Sequence, residues 1–508
     1  MYHSMHIDIH SNHPMYPYFD TVCALSNNLY NAMLFRVRQV MTGIQKEPSE
    51  RQANEVEVIS SIESALPSMK AINDKLQMPT ASKWMLSYGF LDAYCKVSKN
   101  VDYFSEGLPR HTAQGTIKNV TRDMKAFFEA NMAYKKNPSV SLGRPKLPHY
   151  KRKGGRCTAV FSNQECVFKD GGLLKFPRTE LRLHIGPVSG TLKEVKCKPY
   201  YDGYRVFVIT DDGIKAPELR DPKRIISIDL GVNNLATITN NIGEPCLLFK
   251  GGIIKSQNHW YNKRIAAIAS EQTKGTTNKF VPTAQSRAIS KNRDNAIRDF
   301  MHKTAKSIIS WCVEHDIDTI VIGENKSWKQ ECGIGKVNTQ NFVQIPFSML
   351  KAFISYRAGR HGIRVVLIEE SYTSKASFID NDPIPTCGED GASEASFSGR
   401  RAPTSYKGMR RESGFRGLYE AKDGTIINSD LNGSANIGRK AYPEMFTTLG
   451  VAPDFSKVTI IVHPDMAKAT MLREHQLASR ADACISTAKR RRMAKRLRKC
   501  NPYGVSAS

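Results

Sequence analysis

Ile225-Ile-Ser-Ile-Asp-Leu-Gly-Val-Asn-Asn-Leu-Ala-Thr237 is the stretch on which the fold is decided. Its apolar, β-branched run delivers one acid, Asp229, into a strand, followed at once by Gly231 and by a second short strand, Leu235 to Thr239. A carboxylate with apolar neighbours on both sides is costly to bury unless a cation meets it. A metal ion is one such cation.

A strand-turn-strand that opens on a central Asp begins an RNase H-like fold, in which acids from distant parts of a chain converge on divalent metal. Two more carboxylates stand in suitable settings. Glu324 closes the apolar run Asp318-Thr-Ile-Val-Ile-Gly-Glu-Asn325, a buried-strand pattern whose last side chain emerges at the carboxyl end. Asp430 lies in Ser429-Asp-Leu-Asn-Gly-Ser-Ala-Asn-Ile-Gly-Arg-Lys440, at a helix start, where a negative charge suits the helix terminus. Each acid alone reads as an ordinary cap or surface carboxylate. Their joint placement on first strand, later strand and late helix reverses that reading.

The segments 227–237, Ile322-Gly-Glu-Asn325 and Asn428-Ser-Asp-Leu-Asn-Gly-Ser-Ala-Asn-Ile437 resemble the three RuvC motifs of TnpB proteins, RNA-guided nucleases encoded by insertion sequences and similar to type V CRISPR effectors. Gln344-Ile-Pro-Phe-Ser-Met-Leu350 and Glu370-Ser-Tyr-Thr-Ser-Lys-Ala-Ser377 match as well, and the resemblance is dense from about residue 140 to 442. It implies a multidomain α+β protein: an RNase H-like (RuvC) α/β nuclease domain, an N-terminal helical lobe and a β-barrel wedge domain. It further implies RNA-guided cleavage of double- and single-stranded target DNA, with guide RNA as partner. Cutting a phosphodiester needs an activated water and a stabilised leaving oxygen, served by two divalent ions about 3.5–4 Å apart. Magnesium suits an all-oxygen site, and manganese would serve. Asp229 is assigned to both ions, Glu324 to the ion that activates water and Asp430 to the ion at the leaving group, the division between the last two being open.

Lys and Arg number 74 against 48 Asp and Glu, a formal charge of +26 that favours a polyanionic partner. No run of 18 apolar residues occurs, so no membrane span is expected, and the amino terminus has no secretion pattern. Eleven cysteines without a C-x-x-C pair suit free thiols in a reducing compartment. The expected location is cytoplasmic and nucleoid-associated.

Seven segments follow. Residues 1–19 form an N-terminal segment that would join the barrel. Residues 20–135 read as a helical recognition lobe, with helices at Asp20–Met41, at Glu55–Leu76 interrupted by Pro67, and at Gly115–Tyr134. Residues 136–215 read as the barrel: six short alternating runs separated by turns such as Asp170-Gly171 and Asp202-Gly203. They are preceded by a cationic strap, Gly143 to Arg156, in which Lys146, Tyr150, Lys151, Arg152 and Lys153 would follow a phosphate backbone. A solvated linker is the competing reading of the strap. Residues 216–370 and 424–445 form the nuclease domain, strands alternating with helices.

Residues 371–423 are an insertion in which many TnpB relatives hold zinc with two cysteine pairs. Here Ala376, Ser377 and Phe378 lie where the first pair would fall and 415–419 near the second; only Cys387 remains, so a structural zinc is not expected. The insertion reads as a flexible loop whose bases, Arg416 among them, would hold nucleic acid or simply be solvated. Asn432 and Asn436, spaced i, i+4, are further candidates for positioning acids or phosphate, with helix packing as the alternative. Of Glu369 and Glu370, adjacent on a strand, at most one can face the site. Residues 446–508 read as a flexible basic tail, with eight bases between Lys489 and Lys499. The competing functions are a nuclease-silent RNA-guided repressor, a type V CRISPR effector, and a guide-independent nuclease or transposase of the same fold.

Overall fold

The computed structural model describes residues 1–138, 143–215, 217–325, 343–387 and 394–466. The run of bases at 489–499 lies outside the described residues. The chain divides into two compact units, Met1–Lys215 and Ala216–Ser508.

The first unit runs β1 (Tyr2–Ile9), α1 (Tyr16–Gly43), α2 (Ala53–Ile72), α3 (Tyr88–Val97), α4 (Arg110–Lys136), β2 (Ala159–Ser162), β3 (Val167–Lys169), β4 (Leu173–Lys175), β5 (Arg182–His184), β6 (Thr191–Tyr200) and β7 (Gly203–Asp211). In α1 the residues at helical spacing, Val22, Leu29, Met33, Leu34 and Val37, are buried. This is the stripe that the sequence pattern requires of a helix with one wet face. The interruption expected at Pro67 does not occur. α2 runs through it, because Ile62, Ala65 and Met69 pin both sides of the proline to the core while Pro67 itself faces solvent, where the carbonyl it frees can be hydrated.

All six strands expected between 158 and 210 form, but they do not close into a barrel. They pair as two open sheets, β1-β7-β6-β2 and β3-β4-β5. The N-terminal segment joins the first, with Tyr2–Ile9 antiparallel to β7. Helices and sheets share one core: Phe19 of α1 meets Phe176 edge-on at 5.1 Å, and Phe176 meets Phe161 of β2 at 5.2 Å. The boundary expected near residue 136 is therefore a change of secondary structure and not a break between cores.

In the second unit a six-stranded sheet has the order β12-β11-β8-β9-β10-β18. Its strands are β8 (Ile225–Asp229), β9 (Asn234–Asn240), β10 (Cys246–Lys250), β11 (Thr319–Glu324), β12 (Arg364–Glu369) and β18 (Val458–Ile461). β8, β11 and β12 are mutually parallel, β9 runs antiparallel to β8 and β10, and β18 is parallel to β10. The flexible tail expected after 446 is thus corrected at its start, since Val458–Ile461 completes the sheet.

Helices α5 (Gly252–Thr273), α6 (Ala284–Glu314) and α7 (Phe347–Arg360) precede α8 (Ser429–Ala441) and the short α9 (Pro443–Thr447). Strand alternation sorts the sheet's two sides. Ile226, Ile228, Ile320 and Ile322 share a core with Phe300 and Met301 of α6 and Leu350 and Ile354 of α7. Ile225 and Val321 share another with Ala435 and Ile437 of α8 and with Ile368 of β12.

The insertion is not a bare loop. Arg400–Arg401 (β13) pairs with Leu418–Glu420 (β16), which pairs with Ile426–Asn428 (β17); Ser405–Tyr406 (β14) and Met409–Arg410 (β15) make a small hairpin. Buried Tyr419 anchors this ribbon by donating to the Lys375 carbonyl at 2.7 Å.

Candidate active site

Asp229 ends β8 on the α8 side of the sheet. Three features there hold the backbone in place. Ser434 of α8 donates to the carbonyls of Ser227 and Thr237 at 2.9 and 3.0 Å, Asn428 caps α8 by accepting from the amides of Asp430 and Leu431, and Gly433 leaves room for the carboxylate. A Cβ at 433 would come within 2.9 Å of Asp229 Oδ2. Burial first, then the charges of Asp430 and Glu370, push the Asp229 carboxyl well above the usual carboxylate range, with Arg401 opposing. Asp229 and Asp430 are thus brought into one electrostatic neighbourhood from 201 residues apart in the sequence (430 − 229).

Asp430 accepts from Asn234 Nδ2 at 2.7 Å and has Arg401 at 3.8 Å. Asn234 in turn accepts from Lys250 Nζ at 2.9 Å. Glu324 ends β11 as expected, but its Oε1 pairs with Lys351 Nζ of α7 at 2.7 Å. Glu370 acts on Asp229, its charge adding to the rise of the Asp229 carboxyl. Burial pushes the Glu370 carboxyl up to about 7, Lys351 opposing and Glu369 and Glu324 adding. Glu369 goes the other way and meets Lys440 at 2.7 Å.

Sequence reasoning could narrow the pair Glu369/Glu370 to one inward residue but could not choose it. It missed Asn234, Lys351 and Gly433. Arg401 it placed only among the bases of the insertion, since no pattern within 400–411 signals a carboxylate 29 residues on (430 − 401).

Asn432 and Asn436 require correction. Both are buried and engaged with the backbone. Asn432 donates to the Ala376 carbonyl at 2.7 Å and accepts from the Phe378 amide at 3.0 Å. Asn436 donates to the carbonyls of Thr373 and Ala376 and accepts from Arg439 at 2.8 Å. With Asp382, which accepts from the amides of Ser377 and Ser398 at 2.8 and 2.9 Å, they hold the turn where relatives would place cysteines. They are not available to nucleic acid. Arg416 is exposed on the ribbon, and Cys387 is exposed and free.

The strap residues lie in the first unit, on α1. Asn31 bonds Lys151 through both its amide and its carbonyl, at 2.8 and 3.0 Å, and Asn27 donates to the Arg152 carbonyl at 3.0 Å. Arg38 sits over the Tyr150 ring, Lys151 over that of Tyr30, and Arg156 makes a two-pronged bridge to Asp20 at 2.9 and 2.7 Å. Lys146, Tyr150, Lys151, Arg152 and Lys153 remain exposed. A solvated linker would not be pinned at so many points, so the strap is a fixed cationic edge.

Among the described residues, no group of three or more His, Cys, Asp or Glu side chains is arranged to hold a metal ion between them, and Glu324's engagement with Lys351 gives a physical reason. The donor chemistry nevertheless fits a hard divalent cation: the acids offer carboxylate oxygens, crowded enough to raise Asp229, and one buried oxygen of Glu370 has no hydrogen-bond partner among the described residues. Among the described residues no helix is long and apolar enough to cross a membrane.

Two family profiles match the chain. The one described as a probable transposase, OrfB_IS605, covers residues 205–329, and the Cas12f1-like TNB domain covers 347–437. TnpB-like protein ORF457 of Acidianus two-tailed virus is 25% identical over 236 residues, 45% of this chain and 44% of its own, so the match spans less than half of that relative. Among solved structures, a Cas12f1–sgRNA–target DNA complex is 11% identical, covering 86% of this chain and 98% of its own at a TM-score of 0.30. The mini-RNA-guided endonuclease CRISPR-Cas phi3 is 10% identical, covering 87% and 92% at a TM-score of 0.35.

Proposed function

We propose that the chain is a TnpB-like, transposon-associated protein related to Cas12 nucleases and that it acts as an RNA-guided DNA endonuclease. The single observation that carries the hydrolytic part is that Asp229 Oδ2 stands against Gly433 of α8, 2.9 Å from where a Cβ would lie, one turn along the helix from Asp430. Such crowding is characteristic of functional sites that expect a cation. Magnesium ions, when bound, would supply the charge that makes a water nucleophilic and stabilises the leaving oxygen.

Asp229 and Asp430 would hold that charge, with Glu324 as the third acid expected from the sequence. Asn234 and Asn428 fix where Asp430 can point, Gly433 lets the Asp229 carboxylate stand against α8, and Arg401 at the mouth would meet a phosphate oxygen. Guide RNA and target DNA are the partners proposed for the basic surface, the strap included. In such systems base pairing reads the target while protein reads backbone and a short flanking motif.

One observation favours a second reading, a nuclease-silent RNA-guided repressor: Glu324 is spent on Lys351. Two measurements separate them. RNA co-purifying with the protein should be one uniform, structured species, and random fragments would sink guidance. Asp229→Ala should lower magnesium-dependent cleavage of a guide-matched duplex by about three orders of magnitude or more while guide and target binding stay near wild type. Wild-type protein that binds but never cuts would favour the repressor.

A further inference from the structure

The geometry points to Glu370 as an oxygen ligand of the same centre, placed on the side of the sheet that Asp229 and Asp430 share. This rests on the nuclease reading above. Sheet parity carries it. Side chains alternate along a strand, and residues paired across parallel strands face the same way. Ile226 and Ile228 lie toward α6 and α7, so Ile225, Ser227 and Asp229 lie toward α8. On β11, Ile320 and Ile322 take the α6/α7 side and Val321 the α8 side, which puts Gly323 toward α8 and Glu324 away from it. The ion pair to Lys351 of α7 agrees with that placement.

On β12, Ile368 belongs to the α8 core, so Glu370, just past the strand's end, follows it; Glu369, level with Glu324 in the register, starts from the opposite face and, at the sheet's edge, pairs with Lys440 of α8. Glu370 Oε2 occupies the space that Gly323 leaves: a Cβ there would stand 2.6 Å from it. That oxygen is buried and accepts no hydrogen bond among the described residues. A buried carboxylate oxygen without a donor is expensive, and ligation of a cation would offset that expense, whereas a packing role would be served by Gln or Leu. The chain thus carries two glutamates near the centre, one ion-paired with Lys351 and one with a buried oxygen that has no hydrogen-bond partner among the described residues.

The test is manganese binding by the full chain, freed of nucleic acid, followed by titration calorimetry and by paramagnetic resonance of the ion. Glu370→Gln, close to isosteric, should weaken Mn2+ binding about tenfold or more, while Glu324→Gln changes it less. Thermal melting without metal should show Glu370→Gln folded. If Glu370→Gln takes up Mn2+ with wild-type affinity while Asp229→Asn has lost it, the Glu370 assignment is overturned and the nuclease centre stands. If Asp229→Asn also binds like wild type, the centre itself is wrong and both readings fall.

Discussion

Asp229 is held by its surroundings in a state it would not choose in water, and this yields a stability signature separate from activity. Its folded-state proton affinity is raised, so without metal the native state loses stability as pH rises above the unfolded value near about 4. Asp229→Asn should therefore raise the melting temperature of metal-free protein at neutral pH, with the gain shrinking to nothing as pH falls toward about 4. An unchanged or lower melting temperature at neutral pH would mean that the carboxylate is already compensated. Gly433 offers the complementary experiment. Within a helix glycine costs about 1 kcal/mol against alanine, so Gly433→Ala should gain or hold stability. Its methyl group would press on Asp229 Oδ2, and cleavage should fall at least about tenfold with nucleic-acid binding intact.

Two elements show how local chemistry is settled by what an element packs against. α8 carries Asp430 outward at its first turn and spends Asn432, Asn436 and Arg439 inward on the 373–382 turn. A buried amide that serves both a carbonyl and an amide leaves both unsatisfied when removed, so Asn432→Ala should cost about 2–4 kcal/mol in denaturant melts. Chelators should leave the melting curve of this region unmoved, because its turn is held by side chains in place of thiolates. In the first unit the first turn of α2 carries Glu55, buried and bonded by Lys46 at 2.8 and 2.9 Å and by the Gln52 amide at 2.9 Å. The hydrogen bond from Lys46, foremost, holds its carboxyl down to about 2. Its contribution is present above the unfolded value and disappears as pH falls from about 4.5 to about 2. Glu55→Gln should cost about 1–3 kcal/mol at neutral pH and flatten that acid limb.

For the whole molecule the charge of +26 makes nucleic-acid affinity a salt-dependent quantity. Removing Lys151, Arg152 and Lys153 together should weaken binding across sequences and reduce the salt slope by about 2–3, each phosphate contact contributing roughly 0.7–0.9. Retention of the full slope would return the strap to a linker. The periodicities by themselves determined most of the elements: the stripe of α1, the six short strands, and the strand-helix order of the second unit. They also singled out Asp229 and Asp430, because an acid ending an apolar strand and an acid opening a helix are local facts. Tertiary structure alone decided that the strands of the first unit stay as two open sheets, that Val458–Ile461 completes the second unit's sheet, and that Asn432 and Asn436 turn inward. It alone decided which glutamate faces the aspartates. A sequence fixes that neighbouring strand residues point opposite ways, but only the packing of α7 and α8 on the two sides says which side is the site.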